Sequence, residues 1–152
     1  KTAEESRYGT FRWSVPFKAG ELKAVGSVDG HTVQLRLITA GRAARIELVP
    51  DKTRLAADGQ DVSQIELRLV DKNGVVVPNG STLCNVSVNG AGRLLALDNG
   101  DQRDMTQLQT PARKLNQSRA FMVVQSAHEP GSITVTVSAE GLPETQLKLR
   151  AR

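Results

Sequence analysis

Apolar and polar residues alternate along most of this chain in short runs, separated by turn-forming residues at intervals of roughly ten. The clearest run is SITVTVSA at residues 132–139, and the strongest alternation of larger side chains lies in residues 62–71. A period of two is typical of half-buried β-strands, and no long run follows the helical period. The pattern therefore predicts an all-β fold, an antiparallel sandwich or barrel.

Turn residues between the runs divide the chain into predicted strands. Asp29-Gly30 separates runs 21–28 and 32–37, which predicts a hairpin. Val62 and Ile65 are out of phase with each other, which predicts a bulge or a late start of that strand. Further strands are predicted at residues 44–50, 62–71, 75–77, 82–88, 93–97, 120–125, 132–139 and 146–150.

The predicted strands fall into two groups. Residues 39–152 contain seven or more of them, enough for an immunoglobulin-like β-sandwich of about a hundred residues. Residues 1–38 contain two or three, too few to bury a face by themselves. They either pack on the sandwich or form the C-terminal strands of a preceding domain. Their unpaired edges also make a paired or swapped homodimer an expectation.

Composition narrows the classes of partner. The chain has 20 Lys and Arg against 16 Asp and Glu, and its net charge of +4 is scattered along the sequence. Since a nucleic-acid surface needs clustered basic residues and aromatic residues for base stacking, we expect no nucleic-acid partner. No apolar run reaches the length of about 18 residues that spans a membrane, so we expect no membrane-spanning segment. Cys84, within an alternating run, is predicted to be a small buried hydrophobic residue.

Three acidic turns are the first candidates for chemistry: residues 58–61, 71–74 and 98–104. Carboxylates and amides are the oxygen ligands that calcium prefers, but none of these turns completes the helix-loop-helix calcium pattern. The alternative is that Asp and Asn side chains cap their own turns while glycine supplies a positive φ. We favour structural turns, and calcium stays open for the 98–104 loop alone.

Catalysis has no evident carrier in the sequence. A glycosidase needs two facing carboxyl groups, one of them with a pKa raised by burial, and the glycine-containing loop of Asp98 and Asp101 would leave both solvated. His31 and His128 fall in predicted turns, with no acid or nucleophile beside them. Together with Cys84 they are too widely separated for a zinc site. The sequence predicts no catalytic residue, no cofactor and no metal site in this chain, with calcium left open only at the 98–104 loop.

Two aromatic residues have alternative interpretations. An exposed indole can stack on a sugar ring, which makes Trp13 a candidate binding residue. However, Trp13 alternates with Val15 and Phe17, which is more typical of a core position. Phe121, in the run AFMVV, is predicted to be a core residue.

The order of several segments along the chain is more specific than any one of them. Those segments are WSVPFKAGELKAVG (13–26), TAGRAARIELVP (39–50), ADGQDVSQIELRLVDKNGVVVP (57–78), VNGAGRL (88–94), DNGD (98–101) and GSITVTVSAEGL (131–142). In this order they resemble the C-terminal region of family 2 glycoside hydrolases of the β-galactosidase type. One departure is KLNQSR at residues 114–119, where such domains usually carry a Phe-Asn-Gly-like turn.

The resemblance implies that catalysis and domain packing are carried by different domains of the parent enzyme. In that family the segment at 13–26 closes one immunoglobulin-like domain, and the segment from Thr39 to Leu142 forms the next, which is similar to bacterial immunoglobulin-like and invasin modules. The catalytic glutamates would then lie in a barrel outside this chain. The chain would be a non-catalytic accessory domain for packing, spacing or oligomerisation, with the catalytic and preceding β-domains as partners. A bacterial periplasmic or extracellular location is also implied.

The alternative function is a carbohydrate-binding or adhesin-like module. Its ligand would contact the polar loop at residues 98–119, with Asp98, Asn99 and Asp101 as hydrogen-bonding groups and Trp13 as the stacking platform.

Overall fold

The structure, a computed structural model, describes residues 13–152, which divide into two units between Thr39 and Ala40. The first unit contains a hairpin of β1 (Glu21–Val28) and β2 (His31–Ile38). Asp29 and Gly30 join the strands with φ angles of 49° and 79°. Two consecutive positive φ values are typical of a two-residue hairpin turn, so the predicted hairpin is confirmed.

The two faces of this hairpin differ in chemistry. Directly paired residues share a face, and the pairs Leu22–Leu37 and Ala24–Leu35 place apolar side chains on one of them. On the other face Lys23 pairs with Arg36. Every residue of both strands is exposed, the apolar face included. The first unit therefore presents an open apolar surface.

The second unit is an immunoglobulin-like β-sandwich, as predicted. Its strands among the described residues are β3 (Ala43–Pro50), β4 (Arg54–Leu55), β5 (Val62–Asp71), β6 (Leu83–Gly90), β7 (Gly92–Asp98), β8 (Ala112–Lys114), β9 (Arg119–Ser126), β10 (Gly131–Ala139) and β11 (Thr145–Ala151). One sheet has the order β4-β11-β10-β6-β8 and the other β3-β5-β9-β7. The short β4 pairs parallel with β11, and the remaining pairs are antiparallel.

The core lies between the two sheets and contains the inward-facing alternate residues of each strand. On β5 these are Ile65, Leu67 and Leu69, each at most 3% exposed. The other buried core residues lie on the remaining strands or, for Leu115, directly after β8: Ile46, Leu55, Cys84, Val86, Leu97, Leu115, Ala120, Met122, Val124, Ile133, Val135, Val137, Ala139, Leu149 and Ala151. Alternation allows a strand to bury one face and solvate the other.

The predicted bulge or late strand start between Val62 and Ile65 is wrong, since β5 begins at Val62. The pairing of β5 with β9 is continuous from Val62 to Arg68, and the inward position in question is occupied by Ser63. Ser63 is fully buried, and its hydroxyl donates to the Lys52 carbonyl at 2.7 Å. A satisfied serine thus takes an apolar position without breaking the period. The run at 75–77 also differs from its prediction, since it contributes a single bridge of Val76 to Val70.

The core positions predicted for Cys84 and Phe121 differ in outcome: the first is confirmed and the second is wrong. Cys84 is 1% exposed, and burial raises the pKa of its thiol to about 11, so it is inert at neutral pH, as predicted. Phe121 is 52% exposed, and its predicted core position is wrong. The inward residues of β9 are Ala120 and Met122, and Phe121 therefore faces outward between them.

Candidate functional site

The candidate site is built on the loop of residues 99–111, which connects β7 in one sheet to β8 in the other. Two backbone hydrogen bonds fasten this loop to the sandwich. The Leu97 N–H donates to the Leu108 carbonyl at 2.6 Å, and the Val86 N–H donates to the Pro111 carbonyl at 2.7 Å. The loop thus supplies partners to strands of both sheets and partly covers the edge of β7.

Polar side chains at the start of the loop form consecutive turns. Asp98 Oδ1 accepts the Asn99 N–H at 2.8 Å, and Asn99 Oδ1 accepts the Asp101 N–H at 2.9 Å. The Asp101 carboxylate accepts the backbone N–H of Arg103 at 3.0 Å and the Arg103 guanidinium at 3.0 and 3.1 Å. These carboxylates and amides satisfy backbone donors of their own loop, as Asp and Asn commonly do in turns.

Arg113 on β8 holds the far part of the loop. Its side chain is only 1% exposed, and its Nη1 donates to Asp104 Oδ2 at 2.9 Å. Its Nη2 donates to the carbonyls of Thr106 and Gln107 at 2.8 and 3.1 Å. Asn99 reaches the same carboxylate, since its Nδ2 donates to Asp104 Oδ2 at 2.9 Å. One buried guanidinium therefore connects the β8 strand to both halves of the loop.

The electrostatics of the loop favour ionised carboxylates. Hydrogen bonds from Arg103 lower the pKa of Asp101, and hydrogen bonds from Thr106, followed by the charge of Arg113, lower the pKa of Asp104. A general acid needs the opposite shift, because it must hold a proton at neutral pH. These two carboxyl groups therefore suit hydrogen bonding and ion pairing.

A depression of about 500 Å³ lies beside this loop. It is shallow and polar, and two of the predicted ligand residues, Asn99 and Asp101, line it. Asp98 precedes the loop at the end of β7 and does not line the depression. The other lining residues are Ser81, Leu83, Asp104, Thr106, Ala112, Arg113, Lys114, Leu115 and Asn116.

Trp13 belongs to the first unit and is 62% exposed, so its predicted core position is not realised within this chain. Its role as a stacking platform for the loop stays a prediction. Sequence reasoning missed Arg113 and Lys114, because a three-residue strand is too short to show alternation. An arginine in a polar segment that also contains several Asp residues was the available signal.

The other acidic turns use their carboxylates in the same way. Asp58 Oδ1 accepts the N–H groups of Gln60 and Asp61, both at 2.8 Å. Asp71 accepts the N–H groups of Gly41, Asn73 and Val75 at 2.8 to 2.9 Å. Nowhere in residues 13–152 do three or more His, Cys, Asp or Glu side chains group as metal ligands would. The same residues include no helix that is long and apolar enough to span a membrane.

Comparison with known proteins places these features in a family. The model of the glycoside hydrolase family 2 C-terminal domain 5 matches residues 46–148. β-Galactosidase BoGH2A of Bacteroides ovatus is 32% identical over 140 residues, which cover 91% of this chain and 16% of that protein. The chain thus spans about a sixth of the length of this relative.

Solved structures agree with this placement. A glycosyl hydrolase family 2 member from Bacteroides cellulosilyticus superposes with a TM-score of 0.90 at 30% identity, covering 99% of this chain and 19% of that one. A β-glycosidase from Bacteroides vulgatus superposes with a TM-score of 0.87 at 31% identity, covering 91% and 18%. Because the family model covers more than half of the residues, the chain belongs to the glycoside hydrolase family 2 C-terminal domain 5 family.

Proposed function

We propose that this chain is a non-catalytic accessory region of a family 2 glycoside hydrolase of the β-galactosidase type, acting in domain packing, spacing or oligomerisation. The observation that carries the proposal is the open apolar face of the β1–β2 hairpin. Leu22, Val33, Leu35 and Leu37 on this face are each more than half exposed, between 51% and 64%. Burying one such side chain is worth roughly 1.5–3 kcal/mol, so a covering partner is strongly favoured.

The partner that this face fits is the rest of a preceding β-domain of the same polypeptide. A two-stranded sheet is at best marginally stable in water, and it becomes stable when further strands cover its apolar face. The relative from Bacteroides ovatus is several times longer than this chain, which leaves room for such strands upstream. The same difference in length leaves room for a domain outside this chain that carries the catalytic glutamates. We place the parent enzyme in the bacterial periplasm or outside the cell.

The state of the loop carboxylates supports a non-catalytic role. The pKa values of Asp101 and Asp104 are lowered by their hydrogen bonds, and both side chains are engaged in the turns of the 99–111 loop. Neither carboxyl group is therefore suited to donate a proton to a leaving group.

The test compares the two faces of the hairpin in the parent enzyme. Leu35→Lys charges the apolar face, and Gln34→Lys places the same charge on the neighbouring residue of the opposite face. We expect Leu35→Lys to lower the temperature of thermal inactivation by several degrees, while Gln34→Lys leaves it unchanged. In both variants kcat/KM for a chromogenic galactoside should stay within about twofold of the unsubstituted enzyme at low temperature.

A parent enzyme that lacks residues 40–152 gives a second measurement, independent of the hairpin. It should keep its galactoside turnover and lose stability or its oligomeric state, which light scattering reports. Equal effects of the two lysine variants would contradict the proposed packing. Turnover of the galactoside by residues 1–152 alone would contradict the non-catalytic role.

A second candidate function rests on the depression beside the 99–111 loop. Its volume of about 500 Å³ and its polar lining are suited to sugar hydroxyl groups, and Lys114 and Asn116 extend the hydrogen-bonding surface. Titration of the chain with galactose and with plant polysaccharides, followed by NMR of the loop amides, tests this candidate. Shifts that Asp101→Asn removes would support glycan binding, and unchanged loop resonances would reject it.

A further inference from the structure

A second concavity lies at the opposite end of β7 from the 99–111 loop, and we call it the glycine cleft. Its volume is about 290 Å³, enough for one sugar ring or one amino-acid side chain. Two connections and the ends of three strands form its walls. The lining residues are Gly59, Gly90, Gly92, Arg93, Gln125, Ser126, Ala127 and His128.

Glycine is required where the walls approach most closely. Gly59 has a φ of +71°, and a Cβ at this position would lie 2.4 Å from His128 Nε2. The imidazole of His128 therefore lies directly against the Gly59 backbone, where another residue would displace it. Gly92 is similar, because its Cβ would lie 2.8 Å from the Gln125 carbonyl oxygen. The absence of these side chains keeps the cleft open.

A fixed arginine lies at the cleft. Arg93 Nε donates to Gln125 Oε1 at 2.9 Å, and Gln125 Nε2 donates to the Gly59 carbonyl at 2.9 Å. This relay orients the guanidinium and uses only Nε. Among the described residues, neither terminal nitrogen of Arg93 has a hydrogen-bond partner. Two preoriented N–H donors of a guanidinium match the two oxygens of a carboxylate.

Other donors share the cleft. Ser126 is 3% exposed, and its buried hydroxyl has no hydrogen-bond partner among residues 13–152. A buried polar group without a partner is rare in native proteins and points to a missing water or ligand. The imidazole of His128 likewise has no described hydrogen-bond partner and can donate through a ring N–H.

The charges around the cleft complement an anion. No acidic residue lines it among the residues that the structure describes. The nearest carboxylates along the chain have other partners or lie outside the lining. Asp58 accepts the Gln60 and Asp61 N–H groups, Asp61 pairs with Lys52, and Glu129 is exposed on the turn after His128.

We propose that the glycine cleft binds a carboxylate group, with the terminal nitrogens of Arg93 pairing its oxygens and His128 donating from the side. The ligand is no larger than a hexuronic acid or an acidic side chain, because the cleft holds a single ring or side chain. This site shares no lining residue with the depression beside the 99–111 loop, and it does not depend on the proposed accessory role.

The experiment titrates the whole chain with two matched pairs of probes, followed by NMR of the backbone amides. Sodium glucuronate is compared with glucose, and acetyl-glutamate amide is compared with acetyl-glutamine amide. We expect the amides of Gly59, Gly92, Ser126 and His128 to shift with a carboxylate probe and not with its neutral counterpart. A response to glucuronate identifies a sugar acid as the source of the carboxylate, and a response to the glutamate derivative identifies an acidic side chain.

Arg93→Gln should weaken binding of the responding probe at least about tenfold, as expected for loss of a hydrogen-bonded charge. Arg42→Gln is the matched control, because Arg42 is an exposed arginine near the opposite end of β5 and should leave affinity unchanged. Unchanged spectra outside the cleft show that Arg93→Gln folds. Equal shifts with charged and neutral probes, no shifts with any probe, or full affinity in Arg93→Gln would each overturn the proposal.

Discussion

At the turn between β8 and β9, two adjacent residues other than glycine adopt the left-handed backbone conformation that glycine usually occupies. Gln117 has a φ of 48° and Ser118 a φ of 68°. Asn116 and Arg119 flank them and exchange two backbone hydrogen bonds of 2.9 Å. This is the geometry of a two-residue hairpin turn, formed without the Asn-Gly pair that favours it.

Hydrogen bonds of its side chain stabilise Ser118 in this conformation, and the Gln117 side chain makes no such bonds among the described residues. The buried hydroxyl of Ser118 accepts the Gly80 N–H at 2.8 Å and donates to the Val77 carbonyl, which fixes the segment before β6. No hydrogen bond of the Gln117 side chain is present among the described residues, and that side chain is exposed. The two positions therefore differ in what a substitution removes.

We predict opposite effects at these two positions. Gln117→Asn should stabilise the sandwich by about 0.5–1 kcal/mol, because Asn tolerates a positive φ better than Gln. Ser118→Gly relieves the same backbone strain but removes two buried hydrogen bonds, so it should destabilise by about 1–2 kcal/mol. Urea unfolding followed by far-ultraviolet circular dichroism measures both. A stabilising Ser118→Gly would show that the hydroxyl contributes less than the strain costs.

At the scale of elements, the 99–111 loop is the least regular part of the sandwich, yet Arg113 gives it a fixed shape. The guanidinium supplies donors to one carboxylate and two carbonyl groups while it is itself buried. Without it, the Thr106 carbonyl would lose its partner, and Asp104 and the Gln107 carbonyl would each lose one donor. The Leu97–Leu108 hydrogen bond would then be an isolated tether of the loop to β7.

We predict that Arg113→Ala lowers the free energy of unfolding by about 3 kcal/mol, the usual cost of removing one member of a buried charged network. Hydrogen exchange should accelerate at the Leu97 and Thr106 amides more than at the core strands. Lys114→Ala, at the neighbouring exposed position on β8, is the control and should change neither quantity. Equal acceleration throughout the sandwich would show that Arg113 contributes to global stability and not specifically to the loop.

The elements that alternate clearly were predictable from the sequence, and those fixed by tertiary contacts were not. Residues 132–139 and 21–28 form strands where alternation places them, because a period of two reports the burial of one face. The two-residue β4 and the three-residue β8 are too short to carry that signal. Phe121 shows a second limit: period alone does not tell which of two interleaved apolar sets faces the core.

The candidate site was predictable to a similar extent. The turns of Asp98 and Asn99 follow from local Asx chemistry, which sequence reasoning can see. The partnership of Asp104 with Arg113 and the relay from Arg93 through Gln125 to Gly59 depend on chain segments brought together only by the fold. Side-chain pairs of that kind leave no periodic trace in a single sequence.

At the scale of the whole molecule, the two units differ in how far each is complete. The sandwich encloses its core between two sheets, whereas the hairpin has one apolar face and nothing described within its own unit to cover it. The stability of the sandwich should therefore be measurable in the isolated chain. The stability of the hairpin, in contrast, should be measurable only in the larger protein in which we propose that it resides.

Acid sensitivity is the global property that the turns of the sandwich confer. Hydrogen bonds lower the pKa of five carboxyl groups, those of Asp58, Asp61, Asp71, Asp101 and Asp104, below the ordinary value of 3.8. For Asp71 the largest cause is the Gly41 N–H, followed by that of Val75. Because these groups bind protons more readily when unfolded, their contribution is complete above the unfolded pKa and is lost as pH falls through the lower folded values.

We therefore predict that the urea midpoint of the sandwich changes little between about pH 7 and about pH 5 and falls steeply below about pH 4. Asp71→Asn should be less stable than the unsubstituted chain at neutral pH and should show a shallower fall in acid, since the titrating group has been removed. Glu140→Gln, in the turn between β10 and β11, carries the same chemical change without hydrogen bonds to the fold and serves as the control. An identical acid slope in Asp71→Asn and the unsubstituted chain would show that Asp71 does not contribute to the pH dependence.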